Sequence, residues 1–283
     1  SYQALLDERY YVIDNFDKMP PFFMTLVSAS NHWLFISSTS GLSAGRVSAE
    51  TALFPYYTDD KLTENAENTG PKTLLQVTKA GKTYLWEPFS QRQEGLYALE
   101  RKLYKNVLGD KLIFEEHNLA LGLCYRYGWQ TSERYGFVKT GWLENTADDA
   151  CDVSLLDGLQ NILPAGATTA LQTNLSNLLN AYKKNELDER SGLGIFALSS
   201  TLTDLAEPSE SLKATSVWQV GLDSPRYLLS NQQLAAFRQG HELNQETLVR
   251  GQRGAYFVQA EWHLEPHETR DWQLVAEVNQ DRA

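Results

Sequence analysis

The stretch Leu119-Ala120-Leu121-Gly122-Leu123-Cys124-Tyr125-Arg126-Tyr127-Gly128-Trp129-Gln130 decides how this chain folds. Its odd positions are Leu119, Leu121, Leu123, Tyr125, Tyr127 and Trp129; its even positions are Ala120, Gly122, Cys124, Arg126, Gly128 and Gln130. A helix would scatter the odd residues around its circumference, whereas a strand sets them all on one face. Period two therefore predicts a strand over 119–130 with its bulky face toward a core. The runs 111–118 and 135–143 also read as extended, with turn residues at Gly109-Asp110 and Ser132-Glu133. Three neighbouring strands of this kind make an antiparallel meander.

Working outward, 33–38 and 74–77 are short apolar runs bounded by Asn, Ser, Gly and Pro, and 255–261 and 272–278 alternate again on either side of a polar break at 265–268. One segment departs from the pattern. Between Thr168 and Glu186, Leu171, Leu175, Leu178, Leu179 and Tyr182 follow a spacing of three and four, which predicts a helix capped by Thr168 or Thr169, with Lys183 and Lys184 at its C-terminal end. A second, shorter helix or turn is expected over 231–237. The polar stretches 65–72 and 199–215 read as loops. Neither a long linker nor a fixed repeat divides the chain. The expectation is a mainly β fold: one large antiparallel β-sandwich spanning 1–283 as a single domain, with one or two helices.

Composition fits a folded domain, with 42% hydrophobic and 22% charged residues, and 7 Trp, 14 Tyr and 11 Phe to fill a core. The 25 basic and 36 acidic residues leave a formal charge of −11, which would repel nucleic acid and an anionic membrane surface alike. No run of about 18 apolar residues suggests a membrane span, and acids occupy the first twenty residues where an export signal would be apolar. Cys124 and Cys151 read as buried thiols, and with them a reducing, cytoplasmic location is expected.

Nucleotide-binding, zinc-protease, nucleophile-elbow and EF-hand motifs are all missing, so no cofactor is expected. The nearest histidines, His263 and His267, are separated by Pro266, which rules out a helical two-histidine metal face, and no metal is expected either. Adjacent acids such as Asp59-Asp60, Glu115-Glu116 and Asp148-Asp149 would point to opposite faces of a strand, so none is by itself a glycosidase pair. Glu115-Glu116, beside His117, is the best placed of them, with ion pairing to Lys or Arg as the simpler role. No catalytic residue is assigned. Indoles beside polar groups suit a sugar, whose C–H face stacks on a ring while its hydroxyls take hydrogen bonds. The carbohydrate-binding candidates are Trp86, Glu87, Arg126, Trp129 and Trp142, with core packing as the alternative for each indole.

Several segments carry a family resemblance. Asn31-His32-Trp33-Leu34-Phe35-Ile36-Ser37, then Gly41-Leu42-Ser43-Ala44-Gly45-Arg46 and Leu53-Phe54-Pro55-Tyr56-Tyr57-Thr58-Asp59-Asp60, resemble the opening of the N-terminal domain of glycoside phosphorylases of the cellobiose and chitobiose type. Val138-Lys139-Thr140-Gly141-Trp142-Leu143-Glu144-Asn145-Thr146 and Asp157-Gly158-Leu159-Gln160-Asn161-Ile162-Leu163-Pro164 are similar to later segments of that domain, in the same order. The resemblance implies a supersandwich like that of galactose mutarotase, followed in the family by an α/α barrel that supplies the catalytic acid and binds phosphate. The expected role is thus a non-catalytic N-terminal domain that shapes the rim of a sugar site. Its expected partners are a downstream barrel, a second copy in a homodimer and an oligosaccharide. The parent activity would be that of a glycoside phosphorylase, glycosyltransferase or glycoside hydrolase. A free-standing carbohydrate-binding module and an aldose 1-epimerase are the alternatives. Two features depart from the family: the loop near Gly41 is rich in Ser and lacks Tyr, and no residue matches the acidic mutarotase base.

Overall fold

Alternating side chains organise twenty strands in the computed structural model of the protein, which describes residues 2–5, 8–200 and 212–281. In chain order the strands are β1 (Tyr2–Leu5), β2 (Glu8–Asp14), β3 (Phe23–Leu26), β4 (His32–Ser37), β5 (Leu42–Arg46), β6 (Ala52–Phe54), β7 (Gly70–Lys79), β8 (Lys82–Trp86), β9 (Leu99–Asn106) and β10 (Leu112–Asn118). They continue as β11 (Leu123–Ser132), β12 (Gly136–Asn145), β13 (Cys151–Ile162), β14 (Lys183–Asp188), β15 (Leu193–Leu198), β16 (Lys213–Val220), β17 (Arg226–Leu228), β18 (Leu248–Arg250), β19 (Gly254–Leu264) and β20 (Thr269–Asp281). Four short helices join them: α1 (Asp59–Glu64), α2 (Thr169–Asn174), α3 (Ser176–Tyr182) and α4 (Leu234–Arg238).

The strands form an eleven-stranded sheet in the order β1-β2-β9-β10-β11-β12-β20-β16-β15-β14-β18, a five-stranded sheet β17-β19-β13-β7-β8 and a four-stranded sheet β3-β4-β5-β6. The expected meander is β10-β11-β12, antiparallel and in continuous register. Leu123, Tyr125, Tyr127 and Trp129 of β11 point inward and share one core with Leu155 and Leu159 of β13, Val258 of β19 and Leu34 and Ile36 of β4. The large sheet thus packs its inner face against the two smaller ones, and the fold is mainly β, a large antiparallel sandwich. The far face of the five-stranded sheet is covered as well: Leu74, Leu156 and Phe257 pack beneath Leu234 and Phe237 of α4. This double covering is why β13 stops alternating and is buried on both faces beyond Leu155.

Four expectations need correction. The strand in the decisive stretch begins at Leu123, because 118–122 close a turn in which Gly122 donates to the Asn118 carbonyl and adopts a left-handed φ of 63°. Leu119 is therefore 48% exposed, while Leu121 is buried at the turn and imitates the alternation. The expected long helix is two, α2 and α3, broken at Leu175, and residues 183–186 belong to β14. Thr168 does cap α2, accepting from Leu171 N, but Lys183 and Lys184 are strand residues; pairing of β14 with β15 and β18 outweighs local helix propensity there. Residues 70–72, read as loop, open β7, where Lys72 is buried. The expected loop 199–215 lies partly outside the described residues, and its end, from Lys213, is β16.

One polar cluster ties the layers together inside the core. Lys139 of β12 donates to both oxygens of Asp157 of β13 at 2.6 and 2.7 Å. Asp157 also accepts from Trp272 Nε1 at 2.6 Å and from Thr73 Oγ1 at 2.7 Å, and Thr73 bonds the Tyr125 hydroxyl. Burial pushes the pKa of Lys139 below the usual lysine value, and Asp157 opposes that fall.

Candidate functional site

The large sheet has an outer face as well. Antiparallel register places directly opposed residues on the same side, so Lys102, Glu115, Arg126, Trp142 and Asp271 form one row across β9, β10, β11, β12 and β20. The next row runs Val12, Tyr104, Ile113, Gly128, Thr140 and Gln273. Tyr10, Val12, Tyr104 and Ile113 are buried there with Trp142 packed against them. The sheet curves around a groove of about 300 Å³ bounded by Tyr10, Ile113, Gly128, Trp142, Asp271 and Gln273. Gly128 keeps its floor low: a Cβ there would stand 3.1 Å from Ile113 and 3.3 Å from the Trp142 ring.

Arg126, the register partner of Trp142, stands on the same face just outside the groove lining. Its guanidinium donates to Glu115 and, at 3.0 Å, to Glu144, while the Tyr104 hydroxyl donates to the other Glu115 oxygen at 3.1 Å. Two carboxylates and one guanidinium in such a fork hold fixed positions. Burial, with Glu8 close by, pushes the Tyr10 phenol up to about 12, so its hydroxyl keeps its proton at neutral pH. The groove therefore offers a half-buried indole beside hydroxyl, amide and carboxylate groups, the mixture that a sugar requires.

The five carbohydrate-binding candidates divide. Arg126 and Trp142 are register partners on the outer face. Trp129 borders the groove, but its indole points inward, edge-on to Phe54. Trp86 and Glu87 lie in the interior. The Trp86 indole donates to Glu116 at 2.7 Å, and Glu87 accepts two bonds from Arg238 at 2.7 and 2.9 Å and sits 3.1 Å from the Lys72 ammonium. Burial raises the Glu87 pKa, but Arg238 and Lys72 outweigh it and hold the carboxyl below its usual range. Neither Trp86 nor Glu87 has surface to offer a ligand. Glu115 and Glu116 take the ion-pair role, Glu116 with Arg101 at 2.6 Å on the opposite face. Sequence reasoning missed Tyr10, Asp271 and Gln273, which only the strand order brings to the groove.

His263 and His267 bond separately to Asp152 and Asp148, and among the described residues no three His, Cys, Asp or Glu side chains gather as a metal would need. Cys124 and Cys151 are free and buried, and burial pushes the Cys124 thiol up to about 12. Among the described residues no helix is long and apolar enough to cross a membrane.

No protein-family model matches the sequence, and no curated protein matches it either. Solved structures do. The Slr1438 protein from Synechocystis sp. PCC 6803 is similar with a TM-score of 0.51 at 11% identity, over 93% of this chain and 97% of that one. A galactose mutarotase-like protein from Lactobacillus casei gives a TM-score of 0.46 at 9% identity, over 91% of this chain and all (100%) of that one. A bacterial glucoamylase complexed with acarbose gives 0.43 at 8% identity, over 94% of this chain and 34% of that one. At such identities the likeness concerns the fold.

Proposed function

We propose that the chain is a carbohydrate-binding β-sandwich that acts as the non-catalytic N-terminal domain of a carbohydrate-active enzyme, with the outer-face groove as its sugar site. The observation that carries this is the Trp142 indole, half-buried across the Gly128 gap and flanked by Arg126, Thr140 and Asp271. A pyranose laid on that ring would expose its hydroxyls to Gln273, Asp271 and the Arg126 fork. Glu115 and Glu144 both bond the same guanidinium. Both carboxylates are engaged as ion-pair partners of Arg126, which favours binding over epimerisation. The resemblance to phosphorylase N-terminal domains supports the same role, with a helical catalytic barrel as partner.

Titration of the protein with cello-oligosaccharides, followed by tryptophan fluorescence and calorimetry, tests this. The expected result is saturable binding that Trp142→Ala weakens at least about tenfold, the size of effect seen for aromatic anchors. Absence of binding by the unaltered protein, or equal affinity in the variant, would overturn the assignment.

A further inference from the structure

A second pocket, of about 560 Å³, lies away from the groove, where β13, α2, α3 and the start of β14 meet. Its charged side chains are Lys61, Lys183 and Arg253, and no Asp or Glu lines it. In a protein with a formal charge of −11 that is a local inversion of sign.

Lys183 is the unusual member. The residue is 5% exposed, and among the described residues no carboxylate pairs with its ammonium, which is not sealed in the core but keeps contact with the pocket it lines. A largely desolvated ammonium is ordinarily paired, because giving up most of its water without a counter-charge is costly. Here the charge that acts on it is Arg253, of the same sign. Burial first, and Arg253 second, bring the Lys183 pKa down to about 8. Tyr57, Asn161, Ser176 and Asn180 supply hydroxyl and amide groups around the two cations. Thr169, also on the wall, is bonded outward to Glu50.

We propose that this pocket is a binding site for a small oxyanion-bearing ligand, a carboxylate or a phosphate ester, held between Lys183 and Arg253. The oxyanion supplies the counter-charge that Lys183 lacks, and the ring of hydroxyl and amide groups accepts the polar remainder of the ligand. The site is independent of the outer-face groove and shares no residue with it.

Calorimetric titration of the full chain at pH 7 with glucuronate, glucose 6-phosphate, inorganic phosphate and, as neutral control, glucose tests the proposal. At least one oxyanion probe is expected to bind with an affinity that Arg253→Gln and Lys183→Met each lower about tenfold or more, whereas any binding of glucose, confined to the groove, is expected to be the same in both variants. Glucuronate binding marks a sugar acid as the source. Equal binding of glucose 6-phosphate and phosphate marks the free ion, and preference for the ester marks a sugar phosphate. Trp142→Ala is expected to leave this binding unchanged, which separates the site from the groove. Arg253 is exposed, so Arg253→Gln reads the site even where Lys183→Met disturbs folding. If no oxyanion binds, or if both variants bind as the unaltered protein does, the pocket has no such ligand.

Discussion

Lys139 and Lys183 are both buried lysines on strands of the same sheet, 1% and 5% exposed, and they differ in what surrounds them. Lys139 meets Asp157 with two short hydrogen bonds, and Trp272 and Thr73 satisfy what remains of that carboxylate. Lys183 meets Arg253 and a pocket without acids. Burial lowers both pKa values, but only Lys139 has an opposing carboxylate. A paired buried charge is part of the core; an unpaired one bordering a cavity is a charge kept for something else. Variants at the two positions are therefore expected to shift stability in opposite directions.

The largest effect belongs to Lys139→Met. It leaves Asp157 buried without its counter-ion, which costs about 3–5 kcal/mol. Urea unfolding at pH 7 measures the loss, and a change below about 1 kcal/mol would show that the pair contributes little. Lys183→Met is expected to do the reverse. The lysine binds its proton less readily in the folded protein, at about 8, than in the unfolded chain, at 10.5. Below pH 8 it stays charged and carries the full penalty; between 8 and 10.5 the unfolded chain binds more protons, so stability rises with pH. Replacing it should stabilise the protein by about 2–3 kcal/mol at pH 7, with the gain fading as pH approaches 10.5. A destabilised variant, or a gain independent of pH, would mean that Lys183 has a counter-charge after all. Thr73→Val is smaller again. It keeps the β-branched shape in β7 but removes one donor to Asp157 and the bond to Tyr125, an expected loss of about 1–2 kcal/mol.

The same two lysines show how far the sequence could be read. Period two in 123–129 was enough to place β11 and its bulky face, because the odd side chains there are large and apolar while Cys124, Arg126 and Gly128 face the other side. Lys139 and Lys183 were opaque. Lys139 lies where a hydrophobic residue would be expected, and nothing local announces Asp157. Lys183 follows a run of leucines at helical spacing, so it reads as a helix end, whereas pairing with β15 and β18 makes it the first residue of a strand. The groove was half legible for the same reason. Trp142 and Arg126 stand on adjacent strands of a meander that spacing predicts, but Tyr10, Asp271 and Gln273 reach it through non-local strand order. Trp86 and Glu87, sugar-binding candidates with core packing as the alternative for the indole, are interior, since their partners Glu116, Arg238 and Lys72 come from three separate elements.

Arg253→Gln gives the finest test of the contrast. Arg253 is exposed and lies just before β19, so water screens most of its influence, and its removal should change stability by less than about 0.5 kcal/mol. Its effect on Lys183 is specific, however. Arg253 lowers the lysine pKa, so neutralising it should move that pKa upward, toward but not to 10.5, because burial is the larger cause and remains. The other titratable groups lining the pocket are Lys61, Tyr56 and Tyr57. Carbon-13 NMR titration of lysine ε-carbons would show one resonance displaced in Arg253→Gln and absent from Lys183→Met. The Lys139 resonance should stay in place in both, since its own partner is Asp157 across the core; a shift of Lys139 along with Lys183 would mean that the two buried charges are coupled and the contrast between them is not local.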